Sequence, residues 1–270
     1  MRLTLLKLGG ELLESDAKLA AVGRTIARAT SPLVIVHGGG REIDAALATA
    51  GIARRQVDGL RVTDPATLDI VVAVLAGTVN TRFVAAINAA GGRAVGLTGA
   101  DAGVAPVRKA PAFRATSGDL VDLGLVGEPV RATPPLLVRT LVARGFTPVI
   151  ACLGASRSGQ LFNVNADTLA GSLAVRLGAT RLVVAGGTAG VLDADGRTMP
   201  ALDGRDVRAL VKSGTASAGM VAKLAACLAA ARGGVREVRI VDGRDAAALG
   251  QVIDRPARAT GPEPGTRVTR

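Results

Sequence analysis

The 270-residue sequence contains few of the side chains on which many catalytic and metal sites depend. It has no Trp or Tyr, four Phe, one His and two Cys. A single histidine, His37, excludes a catalytic histidine pair and a multi-histidine metal cluster. The cysteines, Cys152 and Cys227, stand far apart without metal-ligand spacing, so we expect buried thiols, no metal held by protein side chains, and a reducing, cytoplasmic location.

The shortage of aromatic residues also helps to decide whether the strong positive charge of the chain indicates nucleic-acid binding. Its 33 basic residues outnumber the 22 acidic residues and give a net charge of +11. A basic protein attracts polyanions. However, the arginines are scattered along the sequence, and there is no aromatic platform on which single-stranded bases could stack. We therefore expect no nucleic-acid partner.

Long uncharged apolar runs are absent as well. A membrane helix needs about 18 such residues. The longest candidates, Ile70–Thr81 and Gly145–Ser156, are interrupted by Gly, Asn or Pro, and the first ten residues carry Lys7 and two glycines where a signal peptide would be continuously apolar. The sequence predicts neither a membrane span nor an export signal.

Short apolar runs alternate with helical patterns along the chain. The predicted strands are Leu3–Leu8, Leu33–Val36, Ala94–Leu97, Pro148–Cys152, Leu182–Ala185 and Val238–Val241. The main predicted helices are Asp16–Arg28, Glu42–Ala50, Pro65–Leu75, Pro135–Arg144, Ala166–Leu177 and Met220–Ala231. This alternation predicts an α/β fold with a mostly parallel central sheet.

Two of these strands end in glycines. The first is followed by Gly9-Gly10 directly after Lys7, and the second by His37 and then Gly38–Gly40. Ligands of parallel sheets sit at the carboxyl ends of the strands, where successive N–H groups and a helix N-terminus can hold an anion. The P-loop motif is absent, and the dinucleotide fingerprint lacks its last glycine. The glycines predict a phosphoryl cradle, with simple tight turns as the alternative.

Eight blocks, in order along nearly the whole chain, resemble the amino-acid kinase family, and within it the N-acetylglutamate kinases. The blocks are Lys7–Gly10, Val34–Gly40, Gly59–Thr63, Leu75–Asn80, Asp122–Glu128, Asn163–Asp167, Gly219–Lys223 and Gly265–Val268. The resemblance implies a three-layer αβα sandwich that transfers the γ-phosphoryl group of ATP to the side-chain carboxylate of N-acetyl-L-glutamate, the second step of arginine biosynthesis. It implies an acyl-amino-acid lobe over residues 1–178 and a nucleotide lobe over residues 179–270, joined by one continuous sheet.

The resemblance assigns catalysis to three residues. Lys7 and Lys223 match the family's two transition-state lysines, and Asp167 matches the aspartate that holds both in place. Lysine occurs at only five positions in this arginine-rich chain, and a compact ammonium can follow charge on a moving phosphoryl group. Asp167 also stands near the start of a predicted helix, where its role could be that of a cap alone.

Further residues are matched to binding roles. Gly9 and Gly10 correspond to phosphoryl-binding positions, Gly39, Gly40, Arg61 and Asn163 to substrate-binding positions, and Gly187, Gly190, Leu192, Gly219 and Met220 to nucleotide-binding positions. A guanidinium such as that of Arg61 can engage a carboxylate bidentately. Gly187 stands where the family motif carries an aspartate, so this chain lacks one polar anchor near the nucleotide.

The expected cofactors are ATP and Mg²⁺, because Mg²⁺ neutralises the phosphates. The sequence begins at the first strand, as in the homodimeric, arginine-insensitive relatives, and the resemblance leaves open whether a PII-type regulator binds. Two alternatives remain. One is a kinase acting on aminoadipate or glutamate attached to an acidic carrier protein, which the +11 charge would suit. The other is a catalytically weak homologue that binds a metabolite, which Gly187 motivates.

Overall fold

The computed structural model describes residues 2–216, 218–254 and 263–270, and its strands are mostly short. In chain order they are β1 Thr4–Leu8, β2 Leu33–His37, β3 Gln56–Val57, β4 Leu60–Arg61, β5 Ala94–Thr98, β6 Val107–Lys109, β7 Phe113–Arg114, β8 Leu120–Val121, β9 Val126–Pro129, β10 Thr147–Ala151, β11 Leu153–Ala155, β12 Leu161–Val164, β13 Arg181–Gly186, β14 Ala201–Leu202, β15 Glu237–Asp242 and β16 Thr266–Val268.

The α-helices lie between these strands. They are α1 Asp16–Ala27, α2 Gly40–Thr49, α3 Pro65–Val72, α4 Asn80–Ala89, α5 Leu136–Ala143, α6 Ala166–Leu177, α7 Gly204–Lys212, α8 Ala218–Arg232 and α9 Ala246–Asp254. A π-helical segment, Ala73–Val79, joins α3 to α4, and 3₁₀ turns lie at Gly10–Leu12 and Asp101–Gly103. The sequence predicted only the first part of the α3–α4 run and did not predict α7 or α9.

The central sheet has the order β14-β16-β15-β13-β1-β2-β10-β5 among the described strands. From β15 to β5 every neighbouring pair is parallel, and only β16 runs antiparallel to β15. All six predicted strands lie in this parallel region, and most of their residues are buried because helices cover both faces of the sheet. Helix α1 contacts both α4 and α9 in one layer, while α6 packs with α8 and α5 lies against β2 and β10. The predicted α/β sandwich is confirmed.

Smaller β structures extend from the sheet near its carboxyl edge. Strands β11, β12, β9 and β6 form a mixed four-stranded sheet, and β3 pairs with β4 in a hairpin. Asp58 and Gly59 make the hairpin turn with φ of 48° and 76°. An Asp-Gly pair with positive φ at both positions is typical of a type I′ turn, whose twist matches that of the strands. These elements were not predicted, because strands of two to four residues carry little periodicity.

The run Pro65–Ala89 is long and apolar enough, by length and composition, to cross a membrane. Its apolar side chains lie in the protein core instead: Leu68, Val71, Leu75, Val79, Phe83 and Ile87 are all buried. The C-terminal part of the run packs on α1, β5 and β10. Packing within the α/β fold therefore accounts for the apolar composition of this run.

Candidate active site

The ends of three adjacent strands lie side by side at the carboxyl edge of the sheet. Leu8 of β1 is in register with His37 of β2 and with Ala185 of β13. The residues that follow these strands are mainly glycines, and the N–H of Gly9 donates to the carbonyl of Ala185 at 2.9 Å. Because glycine has no side chain, a ligand can approach the backbone closely at this edge.

The first two glycine loops touch each other. A Cβ added to Gly10 would lie 3.1 Å from Cα of Gly39 and 3.1 Å from the amide nitrogen of Gly40. Helix α2 begins at Gly40, so its positive N-terminal end also faces this junction. A side chain at position 10 would push the two backbones apart, which is the physical reason for glycine here.

Two lysines from opposite ends of the chain meet one carboxylate below these loops. Nζ of Lys7, on β1, lies 2.9 Å from Oδ1 of Asp167, and Nζ of Lys223, on α8, lies 3.5 Å from the same oxygen. The side chain of Lys7 is 8% exposed, that of Asp167 11% and that of Lys223 17%. The cluster therefore carries one negative and two positive groups, largely shielded from water.

Burial and mutual attraction act in opposite directions on these charges. Burial alone would lower the pKa of Lys7, but the carboxylate of Asp167 outweighs it, and the pKa lies above its ordinary value. Burial lowers the pKa of Lys223, and the charge of Lys7 lowers it further. Burial would raise the pKa of Asp167, but the two lysines hold it below its ordinary value. Asp167 is therefore ionised at neutral pH.

Asp167 is not the helix cap that the sequence also allowed. The residue that caps α6 is Asn165, whose Oδ1 accepts from the N–H of Thr168 at 3.0 Å. Asp167 lies within the first turn, and its side chain turns toward the lysines. The helix N-terminus also stabilises the negative charge of this carboxylate.

Arg61 lies at the end of the β3–β4 hairpin, and neighbouring groups hold its guanidinium. Its Nη2 donates to Oδ1 of Asp44 at 2.6 Å and to the carbonyl of Gly40 at 3.2 Å. The side chain is 8% exposed, and Nη1 is buried with no hydrogen-bond partner. A buried guanidinium nitrogen without a partner is costly, and an anionic ligand would satisfy it.

Asn163, on β12, reaches the same part of the structure. Its Nδ2 donates to Oγ1 of Thr63 at 3.1 Å. Thr63 in turn accepts from the N–H of Leu125 and donates its own N–H to Leu123, so the small sheet is tied to the segment just after Arg61. The side-chain amide of Asn163 is thus held close in the fold to the hairpin, although 102 positions of sequence numbering separate it from Arg61.

His37 supports the second glycine loop from beneath. The ring is fully buried, with Nδ1 3.0 Å from the carbonyl of Gly38 and Nε2 3.0 Å from Nδ2 of Asn80. Nδ2 of Asn80 also donates to the carbonyl of Val149. Burial lowers the pKa of His37 to about 4. The ring is therefore neutral at pH 7, with Nδ1–H donating and Nε2 accepting.

The predicted nucleotide positions are spread along the opposite side of the edge. The N–H of Gly187 donates to Oε1 of Glu11 at 2.9 Å, and Gly190 has a φ of 150° and lies against Thr266. Leu192 is 41% exposed. Gly219 and Met220 lie in the first turn of α8, which leads to Lys223. These residues offer backbone and apolar surface, with few polar side chains.

Several residues of this edge were missed by reasoning from the sequence. Asp44 orients Arg61, Asn80 holds His37, and Glu11 reaches Gly187. Asn80 closes one of the matched blocks, and Asp44 lies one turn after Gly40 on the helix that the glycine loop begins. Both positions could have raised suspicion, whereas the contact of Glu11 with Gly187 spans 176 positions and has no sequence signal.

The remaining chemically reactive side chains lie apart from solvent. Burial raises the pKa of Cys152 and of Cys227 to about 12. Both thiols are buried and unpaired by a disulfide, as expected from the sequence. Within the described ranges, no group of three or more His, Cys, Asp and Glu residues could hold a metal ion.

The fold and this edge define a class of protein. A mostly parallel α/β sheet, paired glycine loops and two lysines sharing a carboxylate have the geometry and positive charge that phosphoryl transfer requires. The sequence model of the amino acid kinase family matches residues 2–242. The chain belongs to the amino-acid kinase family, which confirms the family predicted from the sequence blocks.

Individual relatives agree with this assignment. The chain is 41% identical over 250 residues to an acetylglutamate kinase of Parvibaculum lavamentivorans, covering 90% of this chain and 82% of the relative. It is 39% identical over 267 residues to an acetylglutamate kinase of Solibacter usitatus, covering 98% of both.

Solved structures show the same fold. An N-acetylglutamate synthase from Neisseria gonorrhoeae, complexed with coenzyme A and N-acetyl-glutamate, superposes with a TM-score of 0.81 at 26% identity. All of this chain is covered, but it spans only 59% of the synthase chain. A carbamate kinase from Giardia lamblia bound to AMP-PNP gives a TM-score of 0.67 at 14% identity, covering 99% of this chain and 98% of that one, and shows the fold alone.

Proposed function

We propose that this protein is an ATP-dependent kinase that phosphorylates the side-chain carboxylate of N-acetyl-L-glutamate in arginine biosynthesis. The observation that carries the proposal is the pairing of Lys7 and Lys223 through Asp167 at the glycine-rich edge. The acetylglutamate kinases at 39–45% identity supply the substrate. The product is an acyl phosphate, N-acetyl-L-glutamyl 5-phosphate.

The lysines would offset the electrostatic repulsion between the two anionic reactants. The attacking carboxylate and the transferred phosphoryl group are both anionic, so their repulsion must be offset while they approach in line. Lys7 and Lys223 supply positive charge from two sides, and Asp167 holds their ammonium groups in position. Gly9 and Gly10 would let the phosphoryl group approach the backbone closely, with the N–H of Gly10 as the donor, because the N–H of Gly9 already donates to Ala185. Because these groups are fixed before the reaction, little reorganisation is needed as charge develops.

The acceptor side would hold the amino-acid end of the substrate. Nη1 of Arg61 is buried without a partner and would donate to the α-carboxylate, while Asn163 adds an amide donor. Gly39 and Gly40 would contact the acyl amino acid through their backbone. Asp44 keeps Nη2 of Arg61 engaged, so Nη1 is the nitrogen directed to the ligand.

The nucleotide side would be formed by Gly187, Gly190, Leu192, Gly219 and Met220. On this proposal, residues 1–178 bind the acyl amino acid and residues 179–270 bind ATP. Mg²⁺ would accompany the nucleotide and neutralise phosphate charge when bound. The carboxylate of Glu11, at this same edge, is an oxygen ligand of the kind that Mg²⁺ takes.

The proposal includes a cytoplasmic homodimer, which the family resemblance supports. Light scattering of the purified protein would test the dimer, and a mass of one chain or of six would contradict it. A PII-type regulator is the partner that the resemblance adds, and co-sedimentation with such a protein would test it.

The first experiment is an assay of ADP release from Mg-ATP with N-acetyl-L-glutamate as the acceptor. Free glutamate and aminoadipate serve as control acceptors, and hydroxylamine traps the acyl phosphate as a hydroxamate. We expect turnover and hydroxamate with N-acetyl-L-glutamate alone. Turnover only with a carrier-attached amino acid, or none with any acceptor by folded protein, would overturn the proposal.

A further inference from the structure

Glu11 brings a second carboxylate to the edge where the nucleotide phosphates are proposed to bind. The residue lies in the 3₁₀ turn Gly10–Leu12, directly after β1. Its side chain folds back over Gly9 toward the end of β13, where Oε1 accepts from the N–H of Gly187. The carboxylate thus joins the carboxyl ends of β1 and β13, two neighbouring parallel strands.

The carboxylate of Glu11 differs from that of Asp167 in its partners. Oδ1 of Asp167 is shared by the ammonium groups of Lys7 and Lys223, so this carboxylate already has two cations beside it. Among the residues described here, no Lys or Arg forms an ion pair with the carboxylate of Glu11, although its charge favours the protonated forms of Lys7, Lys223 and Arg244 from a distance. Glu11 therefore differs from Asp167 in having no cation at ion-pair distance, which leaves its negative charge available to a metal ion.

An unpaired carboxylate at a phosphate site has an energetic consequence. It repels the polyphosphate, and the repulsion is stronger than in water because the edge is partly shielded from solvent. A divalent cation between the two anions converts the repulsion into attraction. Mg²⁺ is commonly bound through one or two carboxylates together with substrate phosphates.

We propose that Glu11 is the protein's carboxylate ligand for the Mg²⁺ that accompanies the nucleotide. This inference rests on the proposed nucleotide binding at the same edge. It adds a metal-binding residue in the turn after β1 to a nucleotide side otherwise assigned to residues after position 186.

The geometry at Gly187 provides a second way to place the carboxylate. A Cβ added to Gly187 would lie 3.5 Å from Cγ and 3.7 Å from Oε1 of Glu11, which is ordinary van der Waals contact. A side chain at position 187 would therefore start beside the space that the Glu11 carboxylate occupies. Moving the carboxylate from position 11 to position 187 should return it to nearly the same place.

The test measures how much Mg²⁺ strengthens nucleotide binding, without turnover. ADP is titrated into the protein by calorimetry in the presence of Mg²⁺ and in the presence of EDTA, and the ratio of the two Kd values is the metal factor. We expect Glu11→Gln, which keeps an acceptor for Gly187 but loses the charge, to reduce the metal factor by about tenfold, within the usual range for coupled binding. Glu14→Gln is the matched control, because Glu14 pairs with Arg41 and Lys18 nearby.

The double variant Glu11→Ala with Gly187→Asp, in which the side chain at position 11 no longer fills this space, should restore most of the metal factor that Glu11→Ala alone loses. An unchanged metal factor in Glu11→Gln would overturn the proposal. So would tighter binding of metal-free ADP with no loss for Mg-ADP, since that result would mean the carboxylate merely competes with phosphate for the N–H of Gly187.

Failure of the broader function would look different. If the unaltered protein bound ADP neither with nor without Mg²⁺, the nucleotide site itself would be wrong and the Glu11 proposal would fall with it. If the unaltered protein clearly bound Mg-ADP and the Glu11→Gln variant had the same metal factor, only the Glu11 proposal would be overturned.

Discussion

The two sides of the candidate active site are built in different ways. On the acceptor side, side chains from separate elements hold one another: Asp44 holds Arg61, Thr63 holds Asn163, and Asn80 holds His37. On the nucleotide side, the predicted contacts are glycines and the apolar Leu192 and Met220. The lysine pair lies where these two sides meet.

The difference shows how the protein would divide affinity between its two substrates. The cross-linked acceptor side fixes donors before the ligand arrives, which favours discrimination between small acids. The nucleotide side presents backbone and small residues, so its affinity would depend more on shape and on charge compensation by a cation. Variants that affect one side without the other test this division.

The largest effect is expected at the junction itself. Under the proposed mechanism, Lys7→Ala and Lys223→Ala each remove a charge that would stabilise the transferred group, and kcat should fall by roughly 10²-fold or more with smaller changes in KM. Steady-state kinetics measure this, with thermal unfolding to confirm that the variants fold. Lys212→Ala is the matched control, because Lys212 is an exposed lysine at the end of α7. An unchanged kcat in both variants would remove the lysines from the mechanism.

Arg61→Ala should separate the two sides next. The KM for N-acetyl-L-glutamate should rise by roughly 10- to 100-fold, since hydrogen bonds to charged groups contribute about 1.5–3 kcal/mol, while the Kd for ADP stays the same. Arg54→Ala is the control, because Arg54 also pairs with Asp44 but its side chain is 56% exposed. An equal loss of ADP binding would show that the two sides are not independent.

The pH dependence of stability tests the neutral, buried state of the His37 ring beneath the glycine loop Gly38–Gly40. Its pKa falls from 6.5 to about 4 on folding, so the unfolded chain binds the extra proton first as the pH is lowered. The stability contributed by the neutral ring is present above pH 6.5 and is lost progressively toward pH 4. Between pH 7 and pH 5 the loss should be about 2 kcal/mol.

The measurement is urea unfolding at both pH values for the unaltered protein and for His37→Asn. Because the chain has no second histidine, the difference between the two proteins isolates this ring. If the free energy of unfolding depended on pH equally in both proteins, folding would not lower the pKa of His37, and the prediction would be wrong.

The smallest effects compare two glycines, one on each side. Gly10→Ala places a Cβ 3.1 Å from backbone atoms of Gly39 and Gly40, and the loops must shift, so we expect kcat/KM to fall about tenfold. Gly187→Ala meets only the Glu11 side chain at 3.5 Å, and we expect less than a twofold change. Kinetics of the two single variants measure this contrast, and the reverse order would contradict it.

Much of the fold was predictable because its signals are local. Buried strands such as Leu33–His37 are continuous apolar runs, and helices such as Ala166–Leu177 show a period near 3.6 residues. The small sheet carrying Asn163 was missed, because its strands are held by pairings between distant segments. The family was predicted and confirmed because eight separate blocks agree in order.

Site residues divide in a similar way. Lys7, Asp167 and Lys223 were found from their blocks, and the structure places them around one oxygen atom. The free Nη1 of Arg61 could not be predicted, because it depends on how Asp44 and Gly40 occupy the other nitrogen. The roles of Lys7, Asp167, Lys223 and Arg61 in binding and catalysis stay predictions.

By itself, the sequence determined the alternation of strands and helices, the glycines at the strand ends and the unusual placement of lysines in an arginine-rich chain. These features depend on residue type and short spacing. Only the tertiary structure decided that Asn165 caps α6 and leaves Asp167 to the lysines, and that Glu11 crosses to Gly187. Parallel strand order brings residues more than 150 positions apart to one edge, and side-chain contacts there depend on packing that no local pattern encodes.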